Sequence, residues 1–151
     1  MPSQNSSVKS DPALLLDNQL CFALYSTSLA MTKLYKPLLE ALELTYPQYL
    51  VMLVLWEQDD VSVSELGERL FLDSGTLTPL LKRMEAAGLL ARVRSPQDER
   101  RVQISLTAAG RKLKTRAAQV PACVLGTTRQ SVPDLVALTQ KIQALRRQLV
   151  G

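Results

Sequence analysis

Residues 72–110 read LDSGTLTPLLKRMEAAGLLARVRSPQDERRVQISLTAAG, and the fold is decided there. Asp73 and Ser74 are helix-capping residues just ahead of Leu77, Leu80, Leu81 and Met84, which recur at the steps of a one-sided helix. Gly88 supplies the left-handed residue on which helices commonly stop. Two short, alternating, β-branched runs follow, LLARVRS and RVQISL, separated by the polar SPQDER. That is the pattern of a hairpin with a charged tip. A further helix capped at Thr107 closes the unit. Helix, hairpin and helix give the outline of a winged helix-turn-helix, with the hairpin as the wing.

The helix that must stand in front is legible too. Ser62-Val63-Ser64-Glu65 has the S-x-x-E spacing of a capping box and opens a short helix with Leu66 and Leu70 inward. The corner Phe71-Leu72-Asp73-Ser74-Gly75 is short and contains a glycine, as turns between crossed helices usually do. In such a unit the second helix enters the major groove of duplex DNA by its N-terminal residues. Its outward residues are Ser74, Thr76, Thr78, Lys82 and Arg83. The small hydroxyls suit base edges and the thymine methyl, and the two cations suit phosphates. Taken alone, this helix reads equally well as an ordinary solvent-facing one.

Charge is the independent test. The 151 residues carry 18 Lys+Arg against 14 Asp+Glu, a net +4 that decides nothing. From Lys82 to Arg116, however, ten basic residues face only Glu85, Asp98 and Glu99, which leaves +7 there and −3 elsewhere. Four of the ten, Arg92, Arg94, Arg100 and Arg101, belong to the hairpin. A basic wing on a slightly acidic body is the electrostatic footprint of a DNA binder; a solvated charge run is the alternative. Arg100, at the tip, is placed to enter a minor groove. Asp98, two residues earlier, is better suited to orienting that arginine than to facing phosphate.

Composition narrows the function classes. At 46% hydrophobic, the chain reads as one ordinary globular domain. No apolar run is of membrane-spanning length, and MPSQNSSVKSDP lacks the apolar core of a signal peptide. A cytoplasmic protein with a frayed N-terminus over 1–11 is therefore expected. There is no histidine, which removes His-based acid–base catalysis, Ser-His triads and His-containing metal sites. Two cysteines make neither a secreted disulfide framework nor a zinc site. No metal, no cofactor and no enzymatic activity are expected.

In chain order, 12–45 reads as a dimerisation and sensor helix. It starts at Asp11-Pro12, carries Leu16, Leu20, Leu24, Met31, Leu34 and Leu38, and is expected to be bent or interrupted at Pro37. Residues 46–110 hold the winged helix-turn-helix, beginning with a helix that is apolar nearly all round from Thr45-Tyr46-Pro47 to Asp59-Asp60. Residues 111–151 supply C-terminal dimerisation helices. One runs from Thr107 towards Cys123 with a kink at Pro121, then comes a break over 126–131, and the last is striped by Leu135, Leu138, Ile142, Leu145 and Leu149. The fold class is mainly α with a small β-hairpin wing (α+β). The apolar faces at the two ends exceed what a small core can cover. A homodimer buries the surplus and sets two recognition helices about 34–36 Å apart, as a palindromic site requires. Folding back onto the chain's own wing domain is the alternative.

The cysteines admit two readings. Cys21 lies inside the first helix with Tyr25 four residues on, on the same face. Tyr35 returns to within about 40° of that face but roughly 21 Å further along the axis, out of reach of its own Cys21. If first helices pair antiparallel, Tyr35 and Tyr46 of one subunit lie over Cys21 of the other, where phenol hydroxyls can hydrogen-bond a thiolate or sulfenate. Asp17, four residues before Cys21, opposes a thiolate, and an inert apolar cysteine fits the residues as well.

Two segments, DSGTLTPLLKRME and DERRVQISLTAAG, resemble the recognition helix and wing of MarR-type transcriptional regulators. Within that family LDNQLCFALYS, MTKLYKPLLEALELTYPQYLVMLVLWE and LDSGTLTPLL resemble the organic-hydroperoxide-sensing repressors, OhrR. The likeness runs from about Leu16 to Gly126. It implies a homodimeric repressor of palindromic double-stranded operator DNA in which Cys21 is the peroxidatic cysteine. Tyr35 and Tyr46 then contact it across the dimer, with Tyr25 a third tyrosine nearby. Cys123, in QVPACVLG, resembles the resolving cysteine of two-cysteine members. This implies oxidation by an organic hydroperoxide, an intersubunit disulfide and release of the operator. Three other readings stay open: a MarR-type repressor released by a small aromatic ligand with inert cysteines, a thiol peroxidase, and a winged helix that binds only protein. The peroxidase gives the wing arginines no role and lacks a Thr-x-x-Cys around Cys21.

Overall fold

The computed structural model describes residues 11–151; apart from Asp11, the expected N-terminal tail lies outside the described residues. The chain divides into two units, 1–34 and 35–151, and helix α1 (Leu20–Glu40) runs from the first into the second. No described helix is long and apolar enough to cross a membrane.

The long helix does not start at Asp11. The Asp11 carboxylate does accept the Ala13 N–H at 2.9 Å, but it caps only a 3-10 turn, Pro12–Leu14, and a second turn follows at Leu16–Asn18. Leu15 and Gln19 are extended, and α1 opens at Leu20. Two side-chain amides compete with the helix for the backbone: Asn18 donates to Pro12 O at 2.8 Å, and Gln19 to Ala13 O at 2.7 Å and Leu15 O at 2.9 Å. None of the described residues of this unit is buried, and Leu14, Leu16, Leu20, Phe22 and Leu29 present apolar surface. Further on, α1 stays helical through Pro37 to Glu40.

The second unit continues with α2 (Tyr46–Glu57), β1 (Val61–Ser62), α3 (Val63–Leu70), α4 (Ser74–Ala86), β2 (Leu90–Arg94), β3 (Val102–Leu106), α5 (Ala108–Ala117), α6 (Val120–Thr128) and α7 (Val132–Val150). Its core is built from Leu39, Val51, Met52 and Leu55 against Leu66, Leu77, Leu81, Met84, Leu90 and Ile104. Each such burial contributes about 1.5–3 kcal/mol. The three strands are antiparallel in the order β1-β3-β2, with Val61 opposite Ile104 and the hairpin in register from Leu90–Leu106 to Arg94–Val102. A two-residue strand carries no alternation, so β1 has no sequence signal of its own.

Caps depart from the sequence pattern at α3. Ser62 Oγ accepts the Glu65 N–H at 3.1 Å, but the reciprocal bond is not made, because the Glu65 carboxylate takes the Arg101 guanidinium at 3.0 Å. A complete box stands instead at Thr45 and Gln48 on α2. The left-handed residue of the helix-turn-helix corner is Phe71 (φ 57°), while Gly75 sits in the first turn of α4. The glycine that the corner needs is Gly67, where a Cβ would stand 2.8 Å from Leu72 O. As expected, α4 is capped by Asp73, whose Oδ1 accepts the Thr76 N–H at 2.8 Å. It ends at left-handed Gly88 (φ 79°), with Gly88 N–H on Glu85 O at 2.9 Å and Leu89 N–H on Met84 O at 3.1 Å.

The single helix expected from Thr107 towards Cys123 is two helices. Between them α5 ends at Ala117, and α6 takes Pro121 into its first turn, where a missing N–H costs nothing. Gly126 lies inside α6, so the break is confined to the left-handed Arg129 (φ 54°) and the two residues after it. The final helix α7 forms where its stripe predicts, and none of its residues is buried.

Helix α5 is pressed against the end of α4. Gly110 N–H donates to Thr107 Oγ1 at 3.1 Å, its carbonyl accepts Trp56 Nε1 at 3.0 Å, and a Cβ at this position would run into the Leu89 carbonyl. Gly110→Ala is expected to destabilise the fold by about 1–3 kcal/mol. A lowered urea midpoint at unchanged m-value reads this directly. Gly126→Ala, in a helix with nothing within 4 Å of the added methyl, is expected to raise the midpoint instead.

Candidate nucleic-acid interface and thiol sites

Helix α4 and the wing enclose a cleft of about 430 Å³. Its walls carry Ser62, Ser64, Ser74, Thr78 and Lys82 with four arginines, Arg92, Arg94, Arg100 and Arg101. Seven of the residues expected to meet DNA are therefore assembled in one place, while Thr76 and Arg83 are exposed on α4 outside the cleft lining. The Asp73 carboxylate at the start of α4 is held below the usual range, first by the Thr76 backbone N–H and then by the Thr76 side chain.

The four arginines are committed differently. Arg92 gives its backbone N–H to Glu85 Oε2 at 3.0 Å and its guanidinium to Oε1 at 3.3 and 3.4 Å, tying β2 to α4. Arg94 Nη1 donates to Glu99 O at 3.0 Å within the hairpin. Arg101 Nη2 reaches Glu65 on α3. Arg100 alone of the four makes no side-chain hydrogen bond among the described residues; Asp98 accepts its backbone N–H at 3.0 Å. Asp98 thus orients Arg100 through the main chain rather than through the guanidinium. Glu65 and Glu85 were missed as partners, since the first reads as a cap and the second as one charge on a polar helix face.

The thiols are both exposed. Cys21 stands in the first turn of α1, with exposed Tyr25 one turn on. In the second unit Tyr35 and Tyr46 are brought together with ring centroids 5.0 Å apart and planes at 56°. Tyr49 joins them at 6.0 and 6.4 Å, and Trp56 meets Tyr49 edge-on at 6.5 Å. Sequence reasoning missed Tyr49 and Trp56, which read as part of an apolar run; their spacing with Tyr46 along one face of α2 is the signal that was available. Burial raises the phenol pKa of all three tyrosines, and Tyr46 and Tyr49 reinforce it at Tyr35. The hydroxyls stay protonated at neutral pH as donors, and among the described residues none is spent on a hydrogen bond. Cys123 lies in a separate groove of about 320 Å³ with Pro37, Leu38, Leu42, Arg116 and Val120, where Arg116 Nη2 donates to Ala41 O at 2.6 Å.

Known proteins resemble this chain in sequence and fold. The family profile described as transcriptional regulator SarA/Rot matches residues 33–117. The organic hydroperoxide resistance transcriptional regulator of Bacillus subtilis (strain 168) is 55% identical over 130 residues, covering 86% of this chain and 88% of the relative. The chain belongs to the MarR/OhrR-type winged-helix transcriptional regulators. Among solved structures, reduced AbfR bound to DNA is similar with a TM-score of 0.76 and 31% identity, covering 90% of this chain and 95% of that one. Disulfide-formed AbfR, of the same Staphylococcus epidermidis protein, is similar with a TM-score of 0.60 and 35% identity, covering 86% and 91%. As a member, the chain is a DNA-binding transcriptional regulator.

Two measurements probe this face. Arg100→Ala is expected to weaken DNA binding and to flatten the dependence of log K on log salt by about 0.9, the loss of one phosphate-scale contact. An unchanged slope in fluorescence anisotropy would remove Arg100 from the interface. Because the Asp73 pKa is depressed in the fold, its capping stability is complete above the ordinary carboxylate pKa of about 3.9 and is lost as pH falls through the lower folded value. The urea midpoint of wild type should therefore fall relative to Asp73→Asn, whose cap does not titrate, only on the acid side.

Proposed function

We propose that the chain is a homodimeric repressor that leaves a palindromic operator in the cytoplasm when an organic hydroperoxide oxidises Cys21. The observation that carries this reading is the Tyr35–Tyr46 pair, half-buried, kept protonated and with hydroxyls unspent. Laid over Cys21 of the partner, the pair gives two donors to the reacting oxygens, with Tyr25 beside them. The greater likeness to reduced, DNA-bound AbfR than to its disulfide form supports reading this conformation as the DNA-competent one. On the operator, Ser74, Thr76 and Thr78 face base edges. Lys82, Arg83 and Arg94 face phosphates, Arg92 stands beside them tied to Glu85, Arg100 enters the minor groove with its backbone set by Asp98, and Arg101 stands behind it on the wing.

The chemistry balances as follows. The Cys21 thiolate attacks the outer oxygen of ROOH, the O–O bond breaks, and the departing alkoxide takes a proton to leave as ROH, with the sulfur as sulfenic acid. The Cys123 thiolate of the other subunit then displaces hydroxide, which leaves as water, and the disulfide forms. Bridged Cα atoms must come within about 7 Å, so the helices carrying them move, and recognition helices set to a fixed DNA spacing lose it.

One observation favours a second reading. A largely apolar groove of about 310 Å³ lined by Tyr49, Leu53, Trp56, Ala117 and Pro121, with Glu57 and Lys114 also in its lining, suits a small aromatic ligand.

Operator anisotropy during hydroperoxide titration, with non-reducing gels, separates the readings. Wild type should release DNA and crosslink as a dimer, Cys21→Ser should do neither, and Cys123→Ser should lose the crosslink. Release by Cys21→Ser on peroxide would overturn the sensor assignment, and release by a small aromatic ligand under reducing conditions would favour the second reading. Tyr35→Phe and Tyr46→Phe should keep DNA affinity and slow Cys21 oxidation by roughly tenfold, the scale of one hydrogen bond to a charged group; equal oxidation rates would count against the tyrosine pocket.

A further inference from the structure

The wing arginines do not stand alike before DNA, and the difference lies in a carboxylate on α3. Glu65 occupies the third position of that helix, where its sequence pattern suits it to the reciprocal half of a capping box. It gives that bond up and holds the Arg101 guanidinium at 3.0 Å instead. A second tie comes from the sheet: Arg101 Nε donates to Gln103 Oε1 at 3.2 Å, and Gln103 Nε2 donates in turn to Asp60 Oδ1 at 3.3 Å. The Arg101 backbone is fixed as well, its N–H on Asp98 O at 2.9 Å and its carbonyl on Ser95 N–H at 2.8 Å. The side chain is thus drawn across the β1–β3 edge of the cleft, away from its neighbour Arg100, which has no such tie among the described residues.

A cation already neutralised by a carboxylate releases few counterions on meeting a phosphate. We propose that Glu65 sets the strength of sequence-independent DNA binding by holding Arg101 off the phosphates, so that Arg101 is a reserve cation rather than a DNA ligand. The proposal rests on the chain being a DNA-binding regulator and is independent of the thiol chemistry. The pair is about half exposed on both sides, 53% and 47%, so it is weak enough for one lost charge to tip the balance.

The test is a salt series of anisotropy titrations against a random-sequence duplex oligonucleotide for wild type, Glu65→Gln, Arg101→Gln and the double variant. Glutamine at 65 still suits the third helical position, so α3 keeps its start. Glu65→Gln should tighten binding severalfold and steepen the slope of log K against log salt by about 0.9, one additional phosphate contact. Arg101→Gln should leave the wild-type slope unchanged, and the double variant should match wild type. A flatter slope in Arg101→Gln would overturn the proposal, because Arg101 would then already be on a phosphate. So would an equal gain from Glu65→Gln with Gln at 101, which would make the effect one of bulk charge. Salt-independent wild-type binding would instead remove the DNA-binding reading beneath it.

Discussion

The carbonyl of Leu89 is the point on which the second unit turns. It accepts the Thr107 N–H at 3.1 Å, and α5 approaches it so closely that residue 110 has no room for a side chain. Thr107 Oγ1 donates to Gly88 O at 2.6 Å and accepts the Gly110 N–H, while the Gly110 carbonyl takes the Trp56 indole. The ends of α4, β3 and α2 and the start of α5 are thereby pinned within a few bonds. Since β2 begins at Leu90 and Arg92 is clamped to Glu85 on α4, wing and recognition helix form one body. While these bonds hold, any re-aiming of the helix would carry the wing with it.

That body also decides how much of its charge is free. The +7 between Lys82 and Arg116 is a property of the sequence, but several of those cations are already met. Glu85 holds Arg92, Glu65 holds Arg101, and Asp59 stands 3.9 Å from Arg111 while its other oxygen caps the Leu106 N–H at 2.8 Å. Two of these carboxylates, Asp59 and Glu65, come from the α2–α3 segment and hold the wing strand β3 or its flanks. The same acids therefore build the wing and subtract from its electrostatic reach. Among the wing arginines, Arg94 and Arg100 have no carboxylate partner among the described residues, and Arg100 alone makes no side-chain hydrogen bond there.

What was legible in the sequence was local. The caps at Asp73 and Thr107, the stripe of α4, the stop at Gly88 and the two strands of the hairpin all follow from residues within one turn or one strand of each other. What was not legible is decided at a distance. Glu65 looks like a cap until Arg101, 36 residues away, arrives to compete for it. Phe71 takes the left-handed corner that Gly75 seemed placed for, because α3 stops at Leu70 and Gly75 already lies in the first turn of α4. Pro121 begins a helix rather than kinking one, and Asn18 and Gln19 undo the first turns with their own amides. The paired tyrosines were visible as candidates, but the four-ring cluster they belong to needs Tyr49 and Trp56, which periodicity assigns only to the core.

The ends of the chain carry the remaining argument. None of the described residues before 35 is buried and no residue of α7 is, yet α7 keeps 19 helical residues with Val136, Leu138 and Ile142 open to solvent. Helices draw most of their stability from a covered apolar face, and a helix that buries none of its residues in its own chain is left with apolar surface for a cover from outside. The proposed second copy supplies it, and with it a consequence for signalling. Arg146 of α7 lies 4.3 Å from the centre of the Phe71 ring, at the left-handed corner two residues before the Asp73 cap. Helix α7 thus touches the helix-turn-helix corner of its own chain through one cation–π contact, worth about 0.5–2 kcal/mol. If the proposed dimer covers α7, this contact ties the corner before the recognition helix to how the two copies sit on each other, the arrangement on which the proposed disulfide would act.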